Sequence, residues 1–217
     1  MRIIICVRTA GLKKPHIGNN RKMKKTSSVN KTATKKQTPS ELVEQTVNPD
    51  AEDKALAPFV GALFREILGA DDRQTVIVCF GTTAISGDSL GPMVGSILRE
   101  KYDIPAFVYG TEDCSINGKN MDEWIDFIRQ VHEGAVFIAV DASLGTEQKV
   151  GQIVLRSDGV CPAAIKGKKQ RFGDVGILGV VAESTDDPLM QLMTVSPLYV
   201  QEMANKVANV LKTALSY

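Results

Sequence analysis

Two aspartates are the residues of this chain best suited to chemistry. Asp88 sits in Gly-Asp-Ser-Leu-Gly-Pro, residues 87–92, and Asp141 in Val-Asp-Ala, residues 140–142. Each follows an apolar run that reads as a buried strand, Thr75 to Phe80 and Ala135 to Val140. Side chains at the carboxyl ends of neighbouring parallel strands converge on one crevice. Two carboxylates that meet there cannot both ionise easily, so one pKa rises. The ionised member can then polarise a water while the protonated member donates to a carbonyl or leaving group. The same pair can instead hold a divalent metal that acidifies bound water. Both residues also suit plainer work, because aspartate caps helices and forms turns after strands.

The elements that must position this pair follow from periodicity. A helix is predicted from about Leu90 to Lys101, with Met93, Val94, Ile97 and Leu98 facing inward. Ile104 to Tyr109 reads as a second strand. Asn120 is placed to cap a helix from Met121 to His132, whose apolar stripe is Trp124, Ile125, Phe127, Ile128 and Val131. Gln152 to Leu155 and Ile177 to Val181 read as further strands, and Leu189 to Met193 and Leu198 to Leu215 as closing helices. Strands alternating with helices imply an α/β fold with a mostly parallel sheet and helices on both faces.

Residues 1–37 have a different composition. They are rich in Lys, Arg, Asn, Thr and Ser and poor in apolar residues after Val7, so we expect a disordered basic tail. Residues 38–217 are expected to form one domain, with leading helices over 38–69 and the core over 73–217. Thr38-Pro39-Ser40-Glu41 carries a capping signature, and Leu56 to Leu68 an amphipathic stretch. Met23 offers an alternative start. A net charge of +1 gives the molecule no strong electrostatic bias. Nucleic-acid binding is therefore disfavoured, the basic arm being its one support. Cys6, Cys79, Cys114 and Cys161 form no C-x-x-C pair, which argues against a zinc knuckle and fits reduced thiols. No apolar run approaches the ~20 residues of a membrane span, and Ile3 to Val7 is shorter than the apolar region of a signal peptide. A cytoplasmic location, with no membrane partner, is expected.

Several segments in order, GTTAISGDSLGPMVG, VYGTEDCSINGKN, FIAVDASLG, VGQIVLRSDGV and FGDVGILGVV, resemble the YyaC family of sporulation proteins, often described as spore proteases. The likeness runs from about Val76 to Leu211. That family in turn resembles the germination protease that degrades small acid-soluble spore proteins, and the hydrogenase maturation endopeptidases. The resemblance implies a three-layer α/β/α fold of the phosphorylase/hydrolase type. It also implies functional acids at Asp88 and Asp141, and a protein or peptide substrate whose peptide bond the pair hydrolyses. In the hydrogenase endopeptidases the two acids join a histidine to bind a nickel ion of the substrate. Here the only histidines are His16, in the tail, and His132, which ends a helix and reads as a solvated residue. The family's pattern has histidines where Asn117 and Gly176 stand. A carboxylate-only site without a cofactor is the favoured expectation, ahead of a bound divalent metal. The alternative is a catalytically degenerate member that binds or regulates a partner in spore formation.

Supporting residues are expected around the pair. Asp113 matches an acid of the family's pattern, or else forms a turn. Asn117 and Asn120 carry amides that suit a peptide backbone, although Asn120 also reads as a helix cap. Asp174 is placed at the sheet edge. Lys166, Lys168, Lys169 and Arg171 form a basic loop suited to an acidic substrate. Ser89 and Ser143 have no neighbouring histidine, which argues against a Ser-His triad.

Overall fold

Two apolar faces are written into each central strand, and they set the architecture. In the computed structural model, which describes residues 44–47, 73–162, 167 and 170–215, β2 (Thr75–Cys79) buries Ile77 and Cys79 against one core cluster and Val76 and Val78 against the other. β4 (Val136–Gly145) does the same with Ile138 and Val140 opposed to Ala139. Strands buried on both faces need a helix layer on each. The first cluster is closed by α1 (Leu90–Lys101) and the long α4 (Pro197–Leu215), the second by α2 (Met121–Val131). The result is the expected three-layer α/β/α arrangement.

With β1 (Glu44–Val47), β3 (Ala106–Tyr109), β5 (Ile153–Arg156) and β6 (Val175–Glu183), the sheet order is β1-β5-β6-β4-β2-β3. β3, β2, β4 and β6 are parallel, while β5 runs antiparallel to β6 and β1 antiparallel to β5. From β2 the chain crosses by α1 to one side, and after β3 it returns by α2 to place β4 on the other. The sheet therefore has a switch point between β2 and β4, where open α/β folds hold ligands.

Three expectations change. Within the segment predicted to be helical from Thr38, Glu44–Val47 is a strand paired in register with Ile153–Arg156, so sheet pairing overrides the local capping signal there. The rest of 38–69, including Leu56 to Leu68, lies outside the described residues, as does the basic tail. β4 does not stop at Asp141. It continues to Gly145 because Ala142–Gly145 keep pairing with β6, through a bulge at Ser143/Leu144. In α2, Met121, Ile125 and Ile128 form the buried stripe, Trp124 and Phe127 are partly buried, and Val131 is 55% exposed.

His132 is also not a solvated residue. It is 5% exposed, its Nε2 lies 2.8 Å from the Tyr109 hydroxyl, and its Nδ1 meets the Gln74 amide oxygen. Burial pushes its pKa below the ordinary 6.5. The unfolded chain then binds a proton that the folded chain resists, so His132 lowers stability as pH falls through 6.5 towards its folded value. We expect the denaturation midpoint to drop between about pH 8 and pH 5, with that part of the slope absent in His132→Phe. An unchanged slope in the variant would refute this role.

Candidate active site

Asp141 stands where β4 outruns β2. Val140 is the last β4 residue in register with β2, opposite Cys79, and its carbonyl accepts the Phe80 N–H at 2.8 Å. Beyond that point Asp141 has β6 on one side only, opposite Leu178. Its alternation with Ala139 turns its side chain towards the α2 face. The side chain is 9% exposed, and its Oδ1 accepts the Ala142 N–H at 2.9 Å.

Asp88 comes from the loop after β2, in a 3-10 turn, Gly87–Ser89, that leads directly into α1. The Thr82 N–H donates to the Asp88 carbonyl at 3.0 Å and folds the loop back on itself. Gly81 makes this possible. Its φ is +133°, and a Cβ there would lie 2.0 Å from the Asp88 carbonyl oxygen. The carboxylate is half-buried at the amino end of α1, where the helix dipole favours negative charge.

The two acids sense each other. Burial raises the Asp141 carboxyl well above the usual carboxylate range, the Asp88 charge raises it further, and the Ala142 N–H offsets part of the effect. Burial, followed by the Asp141 charge, also pushes the Cys79 thiol up, which makes Cys79 a neutral core residue. Burial and the Asp88 charge thus both favour the protonated form of Asp141, beside a more exposed Asp88. This is the division of states that acid–base work by two carboxylates requires.

Both acids line one cleft of about 560 Å³. Phe80, Ile116 and Leu178 supply apolar lining, and Asn117, Lys119, Arg156 and Arg171 polar and charged lining. Pro188, Leu189 and Leu192, from α3 (Pro188–Thr194) and its packing on the Asp88 turn, form the rim. Ser143 and Cys161 also line it.

The remaining sequence candidates divide. Asn117 borders the cleft, and its Oδ1 accepts the Lys119 N–H at 3.0 Å. Asn120 does not border it and makes no capping bond to α2. Its Oδ1 accepts the Asn117 N–H at 2.8 Å and its Nδ2 donates to the Ser115 carbonyl at 3.0 Å, so it braces the loop that carries Asn117. Asp113 is exposed and lies outside the lining. Asp174 immediately precedes β6, at the opposite end of the sheet from Asp141. It clamps β4, accepting the Phe137 N–H at 2.8 Å. The strand-edge expectation there mistook the amino edge for the carboxyl edge. Gly176 leaves no room for a side chain, since a Cβ would sit 2.4 Å from the Gly159 carbonyl oxygen. Ser89 Oγ is tied to the Ser86 carbonyl at 2.6 Å. Arg171 lines the cleft as a basic-loop residue, while Lys166, Lys168 and Lys169 lie outside the described residues. Sequence reasoning missed Arg156, whose signal is its place at the end of a strand, two residues before Asp158.

Among the described residues no three His, Cys, Asp or Glu side chains cluster as a metal site, and none of the described helices is long and apolar enough to cross a membrane. The donors at the notch are two carboxylates, a sparse set for a resident cation.

Fold and cleft together define an open, mostly parallel α/β protein with a carboxylate pair at its switch point. The chain belongs to the family described as "Protein of unknown function (DUF1256)", which matches residues 47–210. It is 32% identical over 159 residues to "Uncharacterized protein YyaC" of Bacillus subtilis (strain 168), covering 73% of this chain and 76% of that one. Among solved structures it is similar to the [NiFe] hydrogenase maturation protease HycI from Thermococcus kodakarensis KOD1. That similarity has a TM-score of 0.47 at 18% identity and covers 71% of this chain and 99% of that one.

Proposed function

We propose that this chain is an endopeptidase of spore formation, acting in the cytoplasm on a spore-related protein. The reading is carried by one observation: Asp88 and Asp141 share a cleft in which the charge of one raises the carboxyl of the other. It is supported by the resemblance of the 87–92 and 140–142 segments to those of germination proteases.

In this reading, ionised Asp88 takes a proton from a water, and the resulting hydroxide attacks the scissile carbonyl carbon. Asp141 gives its proton to the carbonyl oxygen, so no free oxyanion forms. On collapse, Asp88 passes its proton to the leaving nitrogen as the C–N bond breaks, and Asp141 recovers a proton from the gem-diol. Asn117 and the backbone of the extended β4 arm border the space where the polypeptide would lie. No cofactor is needed, so cleavage should continue in the presence of EDTA.

The test is cleavage of small acid-soluble spore proteins by the purified chain. Asp88→Asn and Asp141→Asn should each lose roughly 10²–10⁴-fold in rate, the range for removing an acid–base group. Equal cleavage by the wild type and the double variant would refute the assignment. A sporulation phenotype left intact when both acids are changed, but lost when the apolar rim of the cleft is altered, would instead favour a binding or regulatory role.

A further inference from the structure

The geometry points to a carboxylate-binding subsite in the cleft, formed by Arg156 and Arg171, that selects substrate polypeptides carrying an acidic group within about three residues of the cleaved bond. This rests on reading the cleft as a polypeptide site.

Arg156 and Arg171 both line the cleft that holds the acid pair, and both are tied to one carboxylate, that of Asp158. Arg156 Nε donates to Asp158 Oδ1 at 3.0 Å, and Arg171 Nη2 donates to the same oxygen at 2.8 Å. Arg171 is held twice more, donating from Nε to the Asp158 carbonyl at 2.9 Å and from Nη2 to the Gly159 carbonyl at 3.1 Å. Partial burial would raise Asp158, but the Arg156 hydrogen bond and charge, followed by those of Arg171, outweigh it and hold the carboxyl below its ordinary value. Asp158 stays ionised and neutralises one of the two cations. The Arg156 and Arg171 side chains remain 25% and 39% exposed.

The support is built into the sheet. The antiparallel bridge between Val160 and Phe172 brings Arg171, one residue before Phe172, alongside Asp158, two residues before Val160. Phe172 is buried edge-on against Phe80 at 5.5 Å between centroids. The Gly159 carbonyl that accepts from Arg171 lies over Gly176, which in turn pairs with Arg156. Both arginines are thus referenced to the same strand, β6, that registers Asp141.

That register also sets the spacing. Asp141 pairs with Leu178, while Arg156 pairs with Gly176 on the far side of β6. Two strand spacings of about 4.8 Å and two residue rises of about 3.3 Å separate their α-carbons by roughly 12 Å. An extended substrate covers about 3.3–3.6 Å per residue. Part of the gap is spanned by the arginine itself, which leaves two to three residues between the scissile carbonyl and the recognised carboxylate. Among the described residues, Lys119, Arg156 and Arg171 line the same cleft as the two acids. Guanidinium groups offer a carboxylate paired, directional donors that a neutral amide cannot match.

The test uses the full chain with Asp141→Asn, so that peptide is not consumed, and three probes followed by NMR titration. One is a blocked alanine peptide with a central glutamate, one its glutamine counterpart, and one an all-alanine peptide with a free C-terminal carboxylate. The glutamate peptide, the free-carboxylate peptide, or both should bind roughly tenfold more tightly than the glutamine peptide, and which one does so identifies the source of the carboxylate. Arg171→Gln should abolish the preference, and Arg156→Gln provides the same reading should the first variant not fold. Equal binding of all three peptides, or a preference that survives both arginine changes, overturns the subsite. If the glutamate preference stands while the wild type cleaves nothing, the peptidase reading falls and the subsite remains. If the wild type cleaves glutamate and glutamine substrates equally, the subsite falls and the peptidase reading remains.

Discussion

Asp141→Asn is expected to melt at a higher temperature than the wild type near neutral pH, while losing the proposed cleavage. A buried carboxyl whose pKa in the folded chain lies above its ordinary 3.8 binds a proton more tightly folded than unfolded. Its stabilising contribution is complete below 3.8 and is lost as pH rises through the raised folded value. At neutral pH the folded protein must therefore either hold a proton against the solvent or bury a charge beside Asp88. Asparagine keeps the shape and can still accept the Ala142 N–H, but carries no such cost. Each unit by which the folded pKa is raised corresponds to about 1.4 kcal/mol, or roughly 3–6 °C for a chain of this size. The gap between variant and wild type should be near zero at about pH 3 and several degrees at about pH 7, because only the higher pH ionises the unfolded carboxyl. Melts that coincide at both pH values would show that Asp141 is not a destabilising buried acid, and would remove the proton donor from the proposed reaction.

The two acids were legible in the sequence because the features that place them are local. Each follows a run of β-branched residues, and period-2 burial on both faces of β2 and β4 follows directly from those runs. The helices α1 and α4 were equally local, and α1 buries Val94, Ile97 and Leu98 where periodicity put them. What escaped depends on partners far away in the chain. Glu44–Val47 becomes a strand only because Ile153–Arg156 offers an edge, a pairing across more than a hundred positions. The antiparallel sense of β5 is likewise set by its neighbour and not by its own residues. Asp174 shows the same limit in the site. Its type and glycine neighbours resemble those of Asp88, but it precedes its strand instead of following it, so the same chemistry sits at the wrong end of the sheet. The arginine clamp was half seen, since Arg171 stood out in a basic loop while Arg156 acquires meaning only when Asp158 joins the two.

Gly91→Ala should destabilise the fold and disable the site, although helix propensity predicts the opposite sign. Alanine in place of glycine inside a helix is ordinarily favourable by about 0.5–1 kcal/mol. At Gly91 the added Cβ would lie 2.0 Å from the Phe80 carbonyl oxygen and 2.9 Å from its carbon. Gly95, one turn later, makes the same approach to the Gly110 carbonyl at 2.0 Å, so α1 rests on the strand ends along a glycine face. The obstructing atoms are backbone at the end of β2, hydrogen-bonded across to Val140, and cannot rotate away. The helix must lift by about 1.5 Å to restore ordinary contact distances of about 3.5 Å. Lifting it separates Leu90, Val94 and Leu98 from their core and carries the Asp88 turn with it. Overpacking of this kind costs about 1–3 kcal/mol, which lowers the melting temperature by roughly 2–12 °C. A displacement of about 1 Å in a catalytic group costs on the order of 10²-fold in rate, so cleavage should fall further than the folded fraction does. Gly134→Ala is the control. It adds the same methyl at a φ of +76° with nothing within 4 Å, so it suffers only the left-handed backbone penalty, about 1–2 kcal/mol. If Gly91→Ala instead melts above the wild type with cleavage intact, then α1 is free to slide, and the close helix–strand contact does not hold Asp88 against Asp141.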